Sequence, residues 1–188
     1  MSELRESSMK KSSGKADSFV GHDLLDTSLA QEVEGEKFLT FRLHKTAYGV
    51  EIKRIKEIIE YGGVTRIPMT PPCIRGVLNL RGNVVPVIDL GERLEVGTEA
   101  DTRKSCIIIV ELHDEGEKLD LGFIVDGVDQ VVGISDEHIE AAPAFGASIK
   151  SEFISGMGNV KNDFVTLLDL DVVLSVKGLG DLVEAAMD

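Results

Sequence analysis

The stretch Ile74–Leu94, IRGVLNLRGNVVPVIDLGERL, recurs without a gap as Ile154–Leu174, ISGMGNVKNDFVTLLDLDVVL. We call these two stretches the first and the second copy. In each copy an apolar run, a short polar turn and a second apolar run lead into an Asp-Leu pair. Short β-branched runs around turn residues indicate β-hairpins, and an Asp before an apolar stretch is a favoured helix N-cap. The repeat therefore predicts two related hairpins, each followed by a helical turn that Asp89 or Asp169 caps.

The similarity extends upstream of both hairpins. Gly49–Ile59, GVEIKRIKEII, matches Gly122–Val132, GFIVDGVDQVV, at most apolar positions, and each stretch is followed by a proline, Pro68 or Pro143. Any two hairpins resemble each other, but a shared order of elements is harder to obtain by chance. We interpret the chain as two related β lobes that form one domain, with a groove between the lobes as a natural seat for a partner.

The rest of the chain has the texture of an all-β domain. Short runs rich in β-branched residues, Gly63–Pro68 among them, alternate with turn residues. We expect these runs to be the short strands of an all-β barrel or sandwich. A helical turn is expected near residues 52–56. Residues 1–34 are predicted to be a flexible tail, because their first half is rich in Ser, Lys and Glu. We place the domain at residues 35–178 and a short C-terminal helix or tail at residues 179–188.

Composition narrows the function. The net charge of −13 argues against a nucleic-acid partner, which needs a basic face. The N-terminus has no apolar core of a signal peptide, and no run approaches the roughly 18 apolar residues of a membrane span. Cys73 and Cys106 have no metal-ligand or redox spacing. We therefore expect a soluble cytoplasmic protein without direct membrane insertion.

Motifs for catalysis are not found. No nucleophile elbow, phosphate loop or dinucleotide fingerprint occurs. The spacing of Asp169 and Asp171 fits capping better than paired acid–base carboxylates. The histidines do not lie at metal-ligand spacing; they are His22, His44, His113 and His138. We expect no enzyme activity, no cofactor and no metal.

Glu57 and Arg81 are the two charged residues that attract attention. Glu57 lies in the apolar setting of IKEIIEYGGV, and Arg81 lies at the tip of the NLRGN turn. If the first lobe closes as a small barrel, the carboxylate and the guanidinium come close together. The corresponding residues of the second copy are Gln130 and Lys161. An orienting ion pair and a surface pair of little energetic value remain equally good interpretations.

These residues resemble a known family. Val64–Leu90, VTRIPMTPPCIRGVLNLRGNVVPVIDL, is similar to the signature stretch of CheW-like domains, and the stretches on both sides fit the same pattern over roughly residues 36–178. The resemblance implies two five-stranded SH3-like β-barrel lobes in one CheW-like domain with a few short helices. Among family members the chain resembles the free-standing adaptors, since its length leaves no room for kinase or receiver domains.

The resemblance also implies partners and a site. The expected function is that of a chemotaxis adaptor, which couples methyl-accepting chemoreceptors, through their cytoplasmic tip, to the regulatory domain of a CheA-type histidine kinase. Such an adaptor is recruited to membrane receptor arrays. The implied receptor-binding residues are Ile55, Glu57, Gly76, Arg81 and Val84. Ile55 and Val84 would supply apolar contacts, and Gly76 would allow close backbone approach. The kinase-binding residues are not assigned.

Two alternatives stay open. A CheW-like adaptor can also serve a non-flagellar chemosensory pathway, such as surface motility or second-messenger control, and the sequence does not separate these pathways. A small-ligand-binding β-barrel is the alternative from another class. It would need a pocket with convergent polar groups, and the missing catalytic motifs weigh against its hydrolytic form.

Overall fold

The computed structural model describes residues 35–97, 103–144, 146, 148–175 and 177–179. The predictions for residues 1–34 and, apart from Leu179, for residues 179–188 lie outside this range. The strands are β1 (Glu36–Leu43), β2 (Thr46–Glu51), β3 (Ile55–Glu60), β4 (Ile74–Leu80), β5 (Asn83–Asp89), β6 (Cys106–Asp114), β7 (Glu117–Val125), β8 (Gly127–Ile134), β9 (Ile139–Glu140), β10 (Ile154–Val160) and β11 (Asp163–Leu168). The short helices are α1 (Leu90–Arg93) and α2 (Leu170–Val173), and 3-10 turns cover Ile52–Arg54, Asp136–His138 and Ser151–Phe153.

In the described part of the chain the strands form two sheets. The five-stranded sheet has the order β3-β6-β7-β5-β4, and we call it the first lobe. The six-stranded sheet has the order β8-β1-β2-β11-β10-β9, and we call it the second lobe. Its sixth strand, β9, is only two residues long. The all-β architecture of two related lobes is thus the predicted one.

The two lobes exchange strands between the copies. In the repeat, β2 corresponds to β7, yet β2 pairs with β11 of the second copy and β7 pairs with β5 of the first. The two parallel pairings are equivalent, because Leu167 lies opposite Gly49 and Val87 lies opposite Gly122. Each lobe is therefore built from segments of both copies, and the two lobes share one topology.

The described residues form three core clusters, and one of these clusters joins the lobes. Leu78, Val87 and Ile107 belong to a cluster of first-lobe residues, and Phe38 and Val165 belong to a cluster of second-lobe residues. The largest cluster draws on both lobes. In it the Phe41 ring of β1 lies 5.9 Å from the Phe123 ring of β7. Successive residues of β6 alternate between clusters, with Ile107 in the first-lobe cluster and Ile108 in the shared one. A strand that is buried on both faces reads as the continuous apolar run CIIIV.

The predicted hairpins and helix caps are confirmed. β4–β5 and β10–β11 are antiparallel pairs, and both carry an irregularity at the same position, beside Gly76 and Gly156. The carboxylate of Asp89 accepts a hydrogen bond from the Glu92 N–H, and that of Asp169 accepts from the N–H groups of Asp171 and Val172. A side-chain acceptor at this place satisfies amide groups that the first helical turn leaves unpaired.

One expected strand is wrong, and one expected turn is confirmed. The run Gly63–Pro68 forms a single bridge, Thr65 to Val77, instead of a strand. The run ends in Pro68, and Pro71 and Pro72 follow it closely. A proline has no N–H to donate to a ladder. The helical turn expected near residues 52–56 is the 3-10 turn Ile52–Arg54, and β3 starts directly after it.

Candidate functional site

The candidate site lies at the tip of the β4–β5 hairpin. Leu80 and Asn83 form the last pair of the ladder, so Arg81 and Gly82 alone make the turn. Both turn residues have positive φ, 51° for Arg81 and 87° for Gly82. Positive φ at both central positions is the mark of a type I′ turn, whose twist matches that of the flanking strands. The turn leaves the Arg81 side chain 74% exposed.

Arg81 reaches Glu57 across the lobe. Its Nη2 lies 2.9 Å from Glu57 Oε1, and the Glu57 side chain is 19% exposed. β3 and β4 are the two outermost strands of the five-stranded sheet. A contact between β3 and the hairpin of β4 therefore means that the sheet curls and its edges approach. The structure brings these two predicted residues together, and the carboxylate is the better shielded member of the pair.

The two apolar candidates differ in exposure. Val84 is 68% exposed on β5, where it lies opposite Asn79 of β4. Ile55 is half-buried at the start of β3 and packs against the core that both lobes share. Val84 therefore offers apolar surface on the strand that follows the Arg81 turn. The buried part of the Ile55 side chain packs against this core, so only its exposed part can contact a partner.

Gly76 is buried, and it approaches this chain's own backbone closely. Its φ is 146°, and a Cβ atom there would overlap the carbonyl of Thr65. The next residue, Val77, exchanges two backbone hydrogen bonds with Thr65, of 2.8 and 2.9 Å. The absence of a side chain at Gly76 lets the loop before β4 lie against the hairpin.

The second lobe lacks the ion pair of the first. Gln130 and Lys161, the equivalents of Glu57 and Arg81, both line an open cleft of about 460 Å³. The backbone of Gln130 is bonded to the Thr40 hydroxyl, with its N–H donating and its C=O accepting. Phe164, the equivalent of Val84, is 53% exposed. Both hairpins thus expose an apolar residue, but a charged pair at the tip is a property of the first lobe.

Sequence reasoning missed one residue that is bonded to this turn and two exposed residues in the loop before β4. Asn79 accepts a hydrogen bond at Oδ1 from the Gly82 N–H, at 3.0 Å. An Asn three residues before a turn glycine is a recognisable signal for such a bond. Ile67 and Met69 are 41% and 82% exposed in the loop before β4. Single apolar residues next to a proline give no pattern that distinguishes an exposed side chain from a buried one.

The described residues offer little for chemistry. Within the described ranges no group of three or more His, Cys, Asp or Glu side chains is placed to hold a metal ion. Burial raises the pKa of the Cys73 and Cys106 thiols, which disfavours the thiolate form. An open cleft of about 410 Å³ contains Arg75 and Asp89 among its lining residues, but these two are bonded to each other at 3.0 Å.

Other charged side chains of the first lobe form ion pairs between its strands. The bond to Asp120 raises the pKa of Lys56, and the bond to Lys118 lowers the pKa of Glu111. These pairs link β3, β6 and β7 of the first lobe.

None of the helices in the described part of the chain is long and apolar enough to cross a bilayer.

Comparison with known proteins places the chain in a family. The model of the CheW-like domain matches residues 37–177. The chemotaxis protein CheW of Klebsiella aerogenes is 36% identical over 149 residues, which cover 79% of this chain and 87% of that protein. Its counterpart in Bacillus subtilis is 32% identical over 140 residues, covering 74% and 87%. The crystal structure of the scaffolding protein TtCheW from Thermoanaerobacter tengcongensis matches with a TM-score of 0.68 at 33% identity, covering 77% of this chain and 95% of that one. The chain therefore belongs to the CheW-like domain family.

Proposed function

We propose that this protein is a chemotaxis adaptor that docks a chemoreceptor tip on its first lobe and holds a CheA-type kinase beside it. The observation that carries the receptor site is the Glu57–Arg81 pair of 2.9 Å at an exposed hairpin tip. The second lobe has the same hairpin without the pair. A feature that the fold itself required would be expected in both lobes, so its presence in one favours a role in recognition.

The exposure of the site suits partner docking. Val84 offers an exposed apolar contact on the same hairpin as Arg81. Glu57 accepts from Nη2 of the Arg81 guanidinium, and no other partner of that guanidinium is found among the described residues. Its remaining N–H groups can donate to a partner's carboxylate or carbonyl groups. Apolar contacts at the centre supply most of the affinity of such interfaces, whereas charges at the rim fix orientation and partner choice. Helical receptor tips with apolar and acidic side chains fit this surface.

The proposed protein works by holding partners together and catalyses nothing itself. It binds the regulatory domain of the kinase and the receptor's cytoplasmic tip, and through the receptor it is recruited from the cytoplasm to the membrane array. Ile55 and Gly76 belong to this proposal as supports. Ile55 packs between the lobes at the start of the strand that carries Glu57, and Gly76 fixes the base of the hairpin that carries Arg81.

The test is a charge reversal with a matched control. Arg81→Glu places a second carboxylate beside Glu57, and we expect binding of a purified receptor cytoplasmic tip to fall at least tenfold. Lys161→Glu makes the same change at the equivalent tip of the second lobe, and we expect receptor binding to stay within about twofold. Both replaced side chains are exposed, so both variants should remain folded in circular dichroism. Arg81→Glu should lower the thermal midpoint more than Lys161→Glu, because Glu57 loses its partner.

A second variant separates the pair from the contact. Glu57→Arg combined with Arg81→Glu restores an ion pair in which the positive charge is at residue 57 and the negative charge at residue 81. If the pair only organises the hairpin, the double variant binds the receptor; if Arg81 itself contacts the receptor, binding stays lost. Full receptor binding and receptor-dependent kinase activation by Arg81→Glu alone would refute this site.

A further inference from the structure

The turn that presents Arg81 needs a constraint from outside. An L-residue with a Cβ atom adopts the left-handed region at a cost, which glycine does not incur. Gly82 adopts its φ of 87° without strain, whereas the φ of 51° at Arg81 is unfavourable for a residue with a side chain. The Glu57 carboxylate holds the far end of the Arg81 side chain, but it does not hold the backbone of the turn.

The Asn79 side chain provides the backbone constraint. Its Oδ1 accepts from the Gly82 N–H at 3.0 Å, which ties the last turn residue back to β4. Asn79 also lies opposite Val84 in the β4–β5 ladder. Asn79 is thus bonded to the turn that carries Arg81 and is paired, in the ladder, with the exposed Val84.

The second lobe shows that this bond is not a general requirement of the turn. Asn159 is the equivalent of Asn79, and the turn it precedes also has positive φ at both residues, 51° at Lys161 and 68° at Asn162. In the described part of the chain Asn159 makes no such hydrogen bond to its turn. The same residue before the same type of turn makes the bond only where the turn carries Arg81.

We propose that Asn79 is a positioning residue, which fixes the Arg81 turn before a partner arrives. Arg81 is then held at two points, its backbone through Asn79 and Gly82 and its guanidinium through Glu57. A docking group that is ordered in advance loses less conformational entropy on binding, so affinity rises without a new contact. This inference rests on the proposed receptor site, and its first measurement does not need the receptor.

The first measurement uses the free protein. Asn79→Ala should speed amide hydrogen exchange at Gly82 by about 2- to 10-fold, the effect of losing one ordinary hydrogen bond, and should increase the mobility of Arg81 Nε in ¹⁵N relaxation. Asn159→Ala is the matched control and should change neither signal. Asn79→Asp keeps an acceptor oxygen and should keep Gly82 protected.

The second measurement is the affinity for a purified cytoplasmic tip fragment of a chemoreceptor from the same organism. We expect Asn79→Ala to weaken binding about 2- to 10-fold and Asn159→Ala to leave binding unchanged. In an Arg81→Ala background, Asn79→Ala should have no further effect, because the residue that it positions is gone.

The outcomes separate this inference from the function on which it rests. Unchanged Gly82 exchange and Arg81 mobility in Asn79→Ala would overturn the inference. The same holds for unchanged receptor affinity in a variant whose turn has loosened, or for an equal loss in both backgrounds. If Arg81→Ala binds the receptor normally, the receptor site is refuted, while a loosened turn in Asn79→Ala still shows that Asn79 positions Arg81.

Discussion

At Gly76 the backbone has a conformation that only glycine adopts without strain, and a neighbouring carbonyl fills the space where a side chain would begin. The φ of 146° and the position of the Thr65 carbonyl are two separate obstacles to any other residue. The equivalent Gly156 differs in two ways. A Cβ atom there would first meet the Ile139 side chain, and the φ of Gly156 is not positive. The two glycines occupy equivalent positions in the repeat, but different structural constraints require them.

We predict that Gly76→Ala destabilises the protein by at least about 2 kcal/mol, since backbone strain and overpacking act together. Urea unfolding followed by circular dichroism measures the change. Gly62→Ala is the control, because no atom lies within 4 Å of the added methyl group and the φ of Gly62 is not in the left-handed region. A loss in Gly76→Ala no larger than in Gly62→Ala would show that the loop before β4 moves aside freely.

The candidate residues show what sequence can predict at this scale. The proximity of Glu57 and Arg81 could be predicted, because a charge in an apolar run and a charge at a turn tip are both visible in a sequence. Gly76 is buried because the loop before β4 packs against it. Ile55 is half-buried because it packs against the core that both lobes share. Those neighbours are distant in sequence, so no local pattern announces them.

Among the elements, α1 and α2 begin with the same cap but stand in different electrostatic settings. Asp89 is almost fully buried, and its Oδ2 lies 3.0 Å from the Arg75 guanidinium. The second copy has Ser155 where the first has Arg75, and the Ser155 hydroxyl donates to the Leu167 carbonyl. Among the described residues Asp169 caps its helix without an ion pair of its own, although its charge helps to raise the pKa of Arg54. Asp89 caps its helix and also binds a half-buried cation.

We predict that Asp89→Ala costs about 3 kcal/mol, because it removes a cap and also one member of a largely buried ion pair. Asp169→Ala should cost about 1 kcal/mol, the usual value for a lost cap. Urea denaturation of both variants with unchanged m-values gives the comparison. Equal losses in the two variants would mean that the Arg75–Asp89 bond adds no stability.

The sequence predicts these elements better than it predicts their assembly. A hairpin and its cap are local, so the repeat alone is enough to find β4, β5, β10 and β11. Which hairpin completes which sheet is decided by tertiary packing. The pairing of β2 with β11 and of β7 with β5 places each hairpin beside a strand of the other copy. A sequence repeat cannot distinguish that arrangement from two self-contained lobes.

Across the whole molecule the lobes are joined by a shared core and by polar contacts. Arg93 of α1 donates through Nε to the Val173 carbonyl at 2.8 Å, and its guanidinium lies 4.8 Å from the centre of the Phe153 ring. Arg54 lies in the 3-10 turn between β2 of the second lobe and β3 of the first, and it binds both carboxylate oxygens of Asp171 on α2. Arg54 therefore anchors, on the second lobe, the turn that leads to Ile55 and Glu57.

The Arg54–Asp171 bond should make stability depend on pH. The hydrogen bond from Arg54 lowers the pKa of Asp171 below its ordinary value. The stabilising effect is complete above the unfolded-state pKa of about 3.9, and it is lost as the pH falls through the lower folded-state pKa. Because the Asp171 side chain is 64% exposed, solvent screens the pair, and we expect Asp171→Asn to cost less than about 1 kcal/mol at pH 7.

The measurement is urea unfolding of the wild type and Asp171→Asn from pH 7 to pH 2.5. Their difference should be constant down to about pH 4 and then shrink, because a protonated Asp171 carboxyl and the amide that replaces it are both neutral. Asp136→Asn is the control. It removes an exposed carboxylate for which no ion pair is found among the described residues, so its difference from the wild type should stay small at every pH. If the Asp171→Asn difference persists unchanged at pH 2.5, the effect comes from packing at α2, and Arg54 does not tie the lobes together through charge.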